Sequence, residues 1–188
     1  MNTCRKLVLS VAALGALSGC AGTAPTAEFK KPISEAFRLC ANDEAGVRLA
    51  AADGVTLNDV SRQRLESRLS QTINEKKKSV QCKTADKRVF VLQSKITRYD
   101  EGSAFARAML AGLGQIHIDG EFTLNLLPAV AGADSKPGVN GENVAEFSVQ
   151  KTFAWGGMYG ASTRIEDVEP AFAEGVTEAI VAQAETAK

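Results

Sequence analysis

Apolar residues recur along this chain at two spacings, one typical of helices and the other typical of strands. Between Thr56 and Lys78 they are mostly spaced by four positions, while the intervening positions are charged or polar; the apolar set is Val60, Leu65, Leu69 and Ile73. This spacing predicts an amphipathic helix, with Thr56 or Asn58 as its cap. The basic residues 76–78 complement the negative end of the helix dipole.

A second apolar stripe lies near the carboxyl end of the chain, at Val168, Phe172, Val176 and Ile180. Its spacing of four predicts another amphipathic helix. Thr163 and Glu166 have the spacing of a capping box, which places the start of this helix near residue 163.

Three stretches between these helices place apolar residues on one face at a period of two: 88–98, 115–127 and 144–155. Alternation of this kind gives one buried and one wetter face, which is typical of antiparallel strands. We therefore predict an α+β domain of two layers. An antiparallel sheet of three to four strands would carry the two amphipathic helices on one face.

The amino terminus has the pattern of an export signal. Residues 1–6 are basic, residues 7–17 are an apolar run too short to span a membrane, and Leu17-Ser18-Gly19-Cys20 follows. These four residues resemble the lipobox of bacterial lipoproteins, in which the cysteine is lipidated and becomes the new amino terminus. Residue 21 is Ala rather than Asp, which by resemblance to enterobacterial sorting implies the outer membrane, with the domain facing the periplasm.

These features divide the chain into three parts. Residues 1–19 are predicted to be a signal peptide. Residues 20–32 are expected to be the lipidated cysteine and a flexible tether, since they are small and contain proline. Residues 33–188 are predicted to form a single periplasmic domain.

Charge balance argues against nucleic acid as a partner. The full chain has 22 basic and 22 acidic residues, and removal of Arg5 and Lys6 with the signal leaves 20 against 22, a net charge of −2. Neutralising phosphates requires a net basic surface, so no nucleic acid is expected.

Four cysteines are present, and two of them belong to the export machinery. Cys4 leaves with the signal and Cys20 carries the lipid, so that Cys40 and Cys82 remain. In an oxidising compartment such a pair predicts a disulfide. Free buried thiols and a metal site are the alternatives, although two thiols without a neighbouring histidine make a poor metal site.

Candidate catalytic residues are few. His117 is the only histidine, and Asp119 lies two positions away on the same strand face. That spacing lets a carboxylate orient an imidazole, yet no serine stands in a Gly-x-Ser-x-Gly turn. Gly112-x-Gly114 precedes a strand rather than a helix, unlike a phosphate-binding loop. We therefore expect no enzyme, no catalytic residue, no metal and no cofactor.

The candidate contact residues are Trp155, Met158 and Tyr159, which surround a pair of glycines, together with Arg107. Trp and Tyr are enriched at contact surfaces, so this segment is a candidate for binding a partner. The alternative is a loop folded back over the core.

The order of features resembles a group of small bacterial envelope lipoproteins classed as a domain of unknown function. The residues that carry the resemblance are Asp100-x-Gly102, Arg107 and Gly112-x-Gly114, between a strand and a strand pair. The resemblance covers about residues 45–185 and implies location and fold, but no activity. We expect a membrane-anchored lipoprotein that binds an unidentified envelope protein in assembly or secretion. The alternative is binding of a small ligand or glycan through the wet sheet face with Arg107 and His117.

Overall fold

The computed structural model of the chain describes residues 24–83, 86–110, 113–128 and 141–181. Within these ranges the elements follow one another as β1 (Thr26–Lys31), a short 3-10 helix (Glu35–Phe37), β2 (Glu44–Ala51), α1 (Asp59–Lys77), β3 (Val89–Asp100), α2 (Ala104–Met109), β4 (Ile116–Leu127), β5 (Glu142–Phe153), α3 (Gly157–Ser162) and α4 (Ile165–Ile180). Cys20, Gly112 and most of residues 128–142 lie outside the described residues.

The five strands form one mixed sheet in the order β1-β5-β4-β3-β2. Strands β3, β4 and β5 are antiparallel neighbours, as predicted. Strand β2 is parallel to β3 because α1 connects the two as a crossover, the connection that parallel pairing requires. The α+β class is confirmed, and the sheet differs from the expectation in having five strands rather than three to four and in having one parallel pair, β2 with β3.

Strand β1 occupies part of the segment expected to be a flexible tether. It pairs antiparallel with β5, with Thr26 opposite Gln150 and Phe29 opposite Phe147. The Phe29 and Phe147 rings lie 5.5 Å apart. Residues 26–31 therefore belong to the folded domain, because pairing with β5 satisfies backbone groups that a tether would leave to water.

The two long helices pack side by side on one face of the sheet. Helix α1 begins where predicted, with the Asn58 side chain accepting a hydrogen bond from the backbone N–H of Ser61 at 2.8 Å. Helix α4 begins later than predicted. Asp167 accepts from the backbone N–H of Arg164 at 2.9 Å, so the capping pair is shifted by one residue from Thr163 and Glu166.

The core lies between these helices and the sheet. Phe122 of β4 packs on Phe147 of β5 and on Phe172 of α4, with ring centroids 5.1 and 6.0 Å apart. The apolar stripes predicted for the helices point into this core, and their buried members are Leu65, Leu69, Ile73, Val168, Phe172, Val176 and Ile180. Within the described residues, no helix combines the length and apolar character needed to cross a membrane.

Candidate interaction surface

One end of the sheet carries a concentration of exposed apolar side chains. Of the nine large apolar side chains that are exposed in the described residues, seven lie in α2, in α3 or in the adjoining loops: Phe105, Met109, Leu110, Leu113, Trp155, Met158 and Tyr159. We call these seven side chains the apolar surface. Met158 is 90% exposed, so it contributes almost nothing to the core.

Helices α2 and α3 pack against each other, which brings the two halves of the apolar surface together. Phe105 and Met109 are four residues apart and therefore project from the same side of α2. Trp155 and Tyr159 form an edge-to-face pair with ring centroids 4.8 Å apart. Residues 102–116 and 154–163 contain a single charged residue, Arg107.

Arg107 points away from the apolar surface and into the domain. Its side chain is buried, at 1% exposure. Four of the five guanidinium N–H donors face backbone carbonyl oxygens. Nε donates to Gly160 at 2.7 Å, Nη1 donates to Glu101 at 2.5 Å and Gly114 at 2.7 Å, and Nη2 donates to Thr163 at 3.0 Å.

These four bonds fasten both segments that carry the apolar surface. Glu101 and Gly114 flank α2, while Gly160 and Thr163 lie in and after α3. Arg107 was expected to contact a partner, but the structure buries it beneath the apolar surface, where its four bonds hold α2 and α3 together. A guanidinium with this many bonds to its own chain has little capacity left for a ligand.

Two glycines allow α2 and α3 to take up these positions. Gly114 has φ +70°, and a Cβ there would lie 2.3 Å from the carbonyl oxygen of Ser103. A Cβ at Gly160 would lie 1.9 Å from the carbonyl oxygen of Trp155. A side chain at Gly114 would therefore displace the start of α2, and one at Gly160 would displace α3 from the segment before it.

His117 lies on the polar face of the sheet. Its Nδ1 is 3.1 Å from Oγ1 of Thr152 on the neighbouring strand. Burial, together with the charge of Arg98, lowers the pKa of His117 and so favours the neutral imidazole. Burial raises the pKa of the nearby Asp119. The ligand-binding alternative pairs His117 with Arg107, but the Arg107 guanidinium donates to backbone carbonyl oxygens instead.

The predicted Cys40–Cys82 disulfide is present, and it lies toward the end of the sheet opposite the apolar surface. It joins the segment before β2 to the chain after α1. Beside it, the buried Asp43 carboxylate accepts from the Cys40 backbone N–H at 2.9 Å and from Nη2 of Arg88 at 2.6 Å. These contacts indicate that the disulfide stabilises the fold.

A second buried carboxylate joins the two long helices. Glu169 of α4 accepts three bonds from Arg64 of α1. Nε donates to Oε1 at 3.2 Å and to Oε2 at 3.0 Å, and Nη2 donates to Oε1 at 3.0 Å. Oε1 also accepts from the Tyr99 hydroxyl at 2.8 Å. Among the residues that the structure describes, no group of three His, Cys, Asp or Glu side chains could hold a metal ion.

Sequence reasoning found the α3 half of the apolar surface and missed the α2 half. The helix formed by residues 104–109 is too short for periodicity to show which of its side chains are exposed. The sequence offered one signal, an apolar run that contains a single arginine. If Arg107 is buried, Phe105 and Met109, two positions to either side of it in the helix, lie on the opposite, exposed side.

The model of a family described as a domain of unknown function, DUF4410, matches residues 39–157. The chain belongs to this family. The family match agrees with the resemblance to a group without assigned activity, and it includes α2 and the first residue of α3. Comparison with curated protein sequences finds no match for the chain.

Solved structures resemble this domain at low sequence identity. A variant of the PelC dodecamer from Paraburkholderia phytofirmans is 14% identical, with a TM-score of 0.50 over 85% of this chain and 99% of that chain. A candidate lipoprotein from Caulobacter crescentus is 13% identical, with a TM-score of 0.36 over 70% of this chain and 82% of that chain. The similarity to PelC is a similarity of fold.

Proposed function

We propose that this protein is a non-enzymatic lipoprotein, anchored to the outer membrane through Cys20, that binds a protein partner in envelope assembly or secretion. The observation that carries the proposal is that the domain exposes two faces, the apolar surface and the polar face of the sheet, so that one face can lie against the membrane that holds Cys20 while the other remains open to a partner. Monomeric soluble proteins rarely expose large contiguous apolar patches, and those that do generally use them for contacts. The four bonds of Arg107 hold α2 and α3 in place, so these side chains would lose little conformational entropy on contact.

Two surfaces of the domain are open to contacts. One is the apolar surface, and the other is the polar face of the sheet, which carries exposed or half-exposed side chains such as Gln93, Glu121 and Gln150. The similar PelC structure is a dodecamer, so a second copy of this chain is among the partners to be tested.

Lipidation is tested by the intact mass of the protein purified from its native membrane. We expect loss of residues 1–19 and an acyl mass on the remainder. Both the processing and the acyl mass should vanish in Cys20→Ala, because only the thiol can form the thioether. An acyl mass that persists in Cys20→Ala would place the modification elsewhere and contradict the anchor.

Partner binding is tested by photo-crosslinking in cells. A photoreactive phenylalanine analogue at Gln93 samples the polar face, and one at Met158 samples the apolar surface. The same analogue at Ala41, which is exposed at the far end of the sheet, serves as the control. A discrete protein adduct at Gln93 or Met158 that is absent at Ala41 supports the proposal. If neither position gives such an adduct, partner binding is wrong.

Binding of a small ligand or glycan finds less support. That alternative relied on Arg107 as a cationic group beside His117, and the Arg107 guanidinium is buried among backbone carbonyl oxygens.

A further inference from the structure

We propose that the apolar surface lies against the lipid bilayer in which Cys20 is anchored, leaving the polar face of the sheet for a protein partner. This inference rests on the proposed lipid anchor. Three observations carry it: the direction of β1, the short length of chain before β1, and the chemistry of the exposed side chains.

The first observation is the direction in which the chain enters the sheet. Strand β5 runs from Glu142 to Phe153 and leads directly into Trp155. Strand β1 is antiparallel to it, with Thr26 opposite Gln150 and Lys31 opposite Glu146. Followed backward from Lys31 to Thr26, the chain therefore runs toward the end of the sheet that carries the apolar surface.

The second observation is the length of chain between β1 and the anchor. Thr26 follows Cys20 by six positions, which can span at most about 21 Å at 3.3–3.6 Å per residue. Along β5, Gln150 is three residues from Phe153 and eight residues from Glu142, or about 10 Å and 27 Å at a strand rise of 3.3–3.4 Å. The anchor can thus reach the level of the apolar surface, whereas the far end of the sheet lies beyond its reach.

The third observation is the chemistry of the surface. Its members are Phe, Leu, Met, Trp and Tyr, and the one charged residue within its two segments is turned inward. Trp and Tyr are the side chains that favour the boundary between headgroups and acyl chains. Acyl chains on Cys20 would hold this surface at a high effective concentration beside the bilayer.

A soluble protein at the same surface would have to enter between the domain and the membrane. The short chain before β1 leaves little room for that. The bilayer is therefore the occupant that the anchor geometry favours.

Trp155 is the only tryptophan of the chain, so its fluorescence reports on the surface directly. The acylated protein would be reconstituted into vesicles of phosphatidylethanolamine and phosphatidylglycerol, with or without bromine on the acyl chains. Amphipathic surfaces of this kind bury about 5–10 Å into the headgroup and acyl boundary, so we expect an about twofold loss of Trp155 emission, greater for shallow than for deep bromine.

Three acylated variants separate contact from anchoring. Met158→Glu and Phe105→Glu each place a carboxylate on the apolar surface, and both side chains are too exposed to support the fold. Ala41→Glu places the same charge at the far end of the sheet. We expect quenching to fall in the first two variants and to persist in Ala41→Glu, with circular dichroism showing all three folded.

The outcomes are distinguishable. Trp155 that stays unquenched in a protein shown by mass to be acylated, and by flotation to be vesicle-bound, overturns the membrane contact and leaves the anchor standing. A protein adduct at Met158 in cells also overturns it, and supports a protein at this surface instead. An absent acyl mass overturns the anchor and this inference together.

Discussion

The buried guanidinium of Arg107 donates from Nε to the carbonyl oxygen of Gly160 at 2.7 Å and thereby joins α2 to α3. The two residues are 53 positions apart in the chain, and neither helix exceeds six residues. Isolated helices of this length are unstable, so their positions depend on tertiary contacts. The Arg107 bonds supply such contacts. Because they fix α2 and α3, they also fix the positions of the apolar side chains that these helices expose.

Replacement of Arg107 should destabilise the domain. In Arg107→Met the carbonyl groups of Glu101, Gly114, Gly160 and Thr163 lose their donor. Unsatisfied buried groups cost about 1–3 kcal/mol each, so we expect a loss of at least about 3 kcal/mol in the free energy of unfolding, measured by urea denaturation.

Arg98→Ala is the matched control for that loss. Arg98 makes an exposed ion pair with Asp100 at 3.3 Å, so its removal should change the free energy of unfolding by less than about 1 kcal/mol. Arg107→Lys should resemble Arg107→Met, because an ammonium cannot reproduce the planar fork. Equal stability of the Arg107 and Arg98 variants would contradict the structural role.

Gly160→Ala should displace α3. The added Cβ would lie 1.9 Å from the carbonyl oxygen of Trp155, a contact that no rotamer can relieve. We expect a loss of about 3 kcal/mol, the upper end for overpacking, and a change in Trp155 fluorescence. Gly54→Ala, where a Cβ meets nothing within 4 Å, should leave Trp155 fluorescence unchanged. An unchanged Trp155 signal in Gly160→Ala would mean that α3 adapts freely.

The disulfide should account for a large part of the stability. It joins residues 42 positions apart, and closure of a loop of that length contributes about 4 kcal/mol in the chain-entropy account. Unfolding by urea with and without reductant measures the contribution in the wild type. In the double variant Cys40→Ala/Cys82→Ala, reductant should have no effect. If reductant leaves the wild type unchanged, the disulfide is dispensable.

Tyr99 should ionise late. Burial, together with its hydrogen bond to Glu169, raises the pKa of Tyr99 to about 12. Since the unfolded chain releases this proton near pH 10, the stability that the neutral hydroxyl contributes is fully present below pH 10 and is lost as the pH rises through 12. Ultraviolet absorbance of tyrosinate follows the titration. The chain has two tyrosines, and the late step should vanish in Tyr99→Phe; a late step that persists there would assign it to another group.

Periodicity alone predicted α1, α4 and the three long strands, because each buries one face along its whole length. Strands β1 and β2 lie at the two edges of the sheet and show weaker alternation. The side chains of β1 are all exposed. A short edge strand is held by backbone pairing to its neighbour, and such pairing leaves little trace in the order of apolar and polar residues.

Charged residues show the same limit. Glu169 follows two other acids at the start of α4 and could be interpreted as complementing the helix dipole. The structure buries it completely, between Arg64 and Tyr99. Sequence spacing shows which helix face a residue lies on. Whether a side chain such as Arg64 is there to bond to it depends on how α1 and α4 pack together.

By itself, the sequence predicted an export signal and determined the cysteine pair, the α+β class and the apolar faces of the long elements, because those properties follow from local order and composition. The tertiary structure decided that β1 continues the sheet, that Arg107 is buried and that α2 shares a surface with α3. Each of these depends on contacts between distant residues. A charged side chain can be buried only where the folded backbone brings several carbonyl oxygens to it, and no local pattern encodes that convergence.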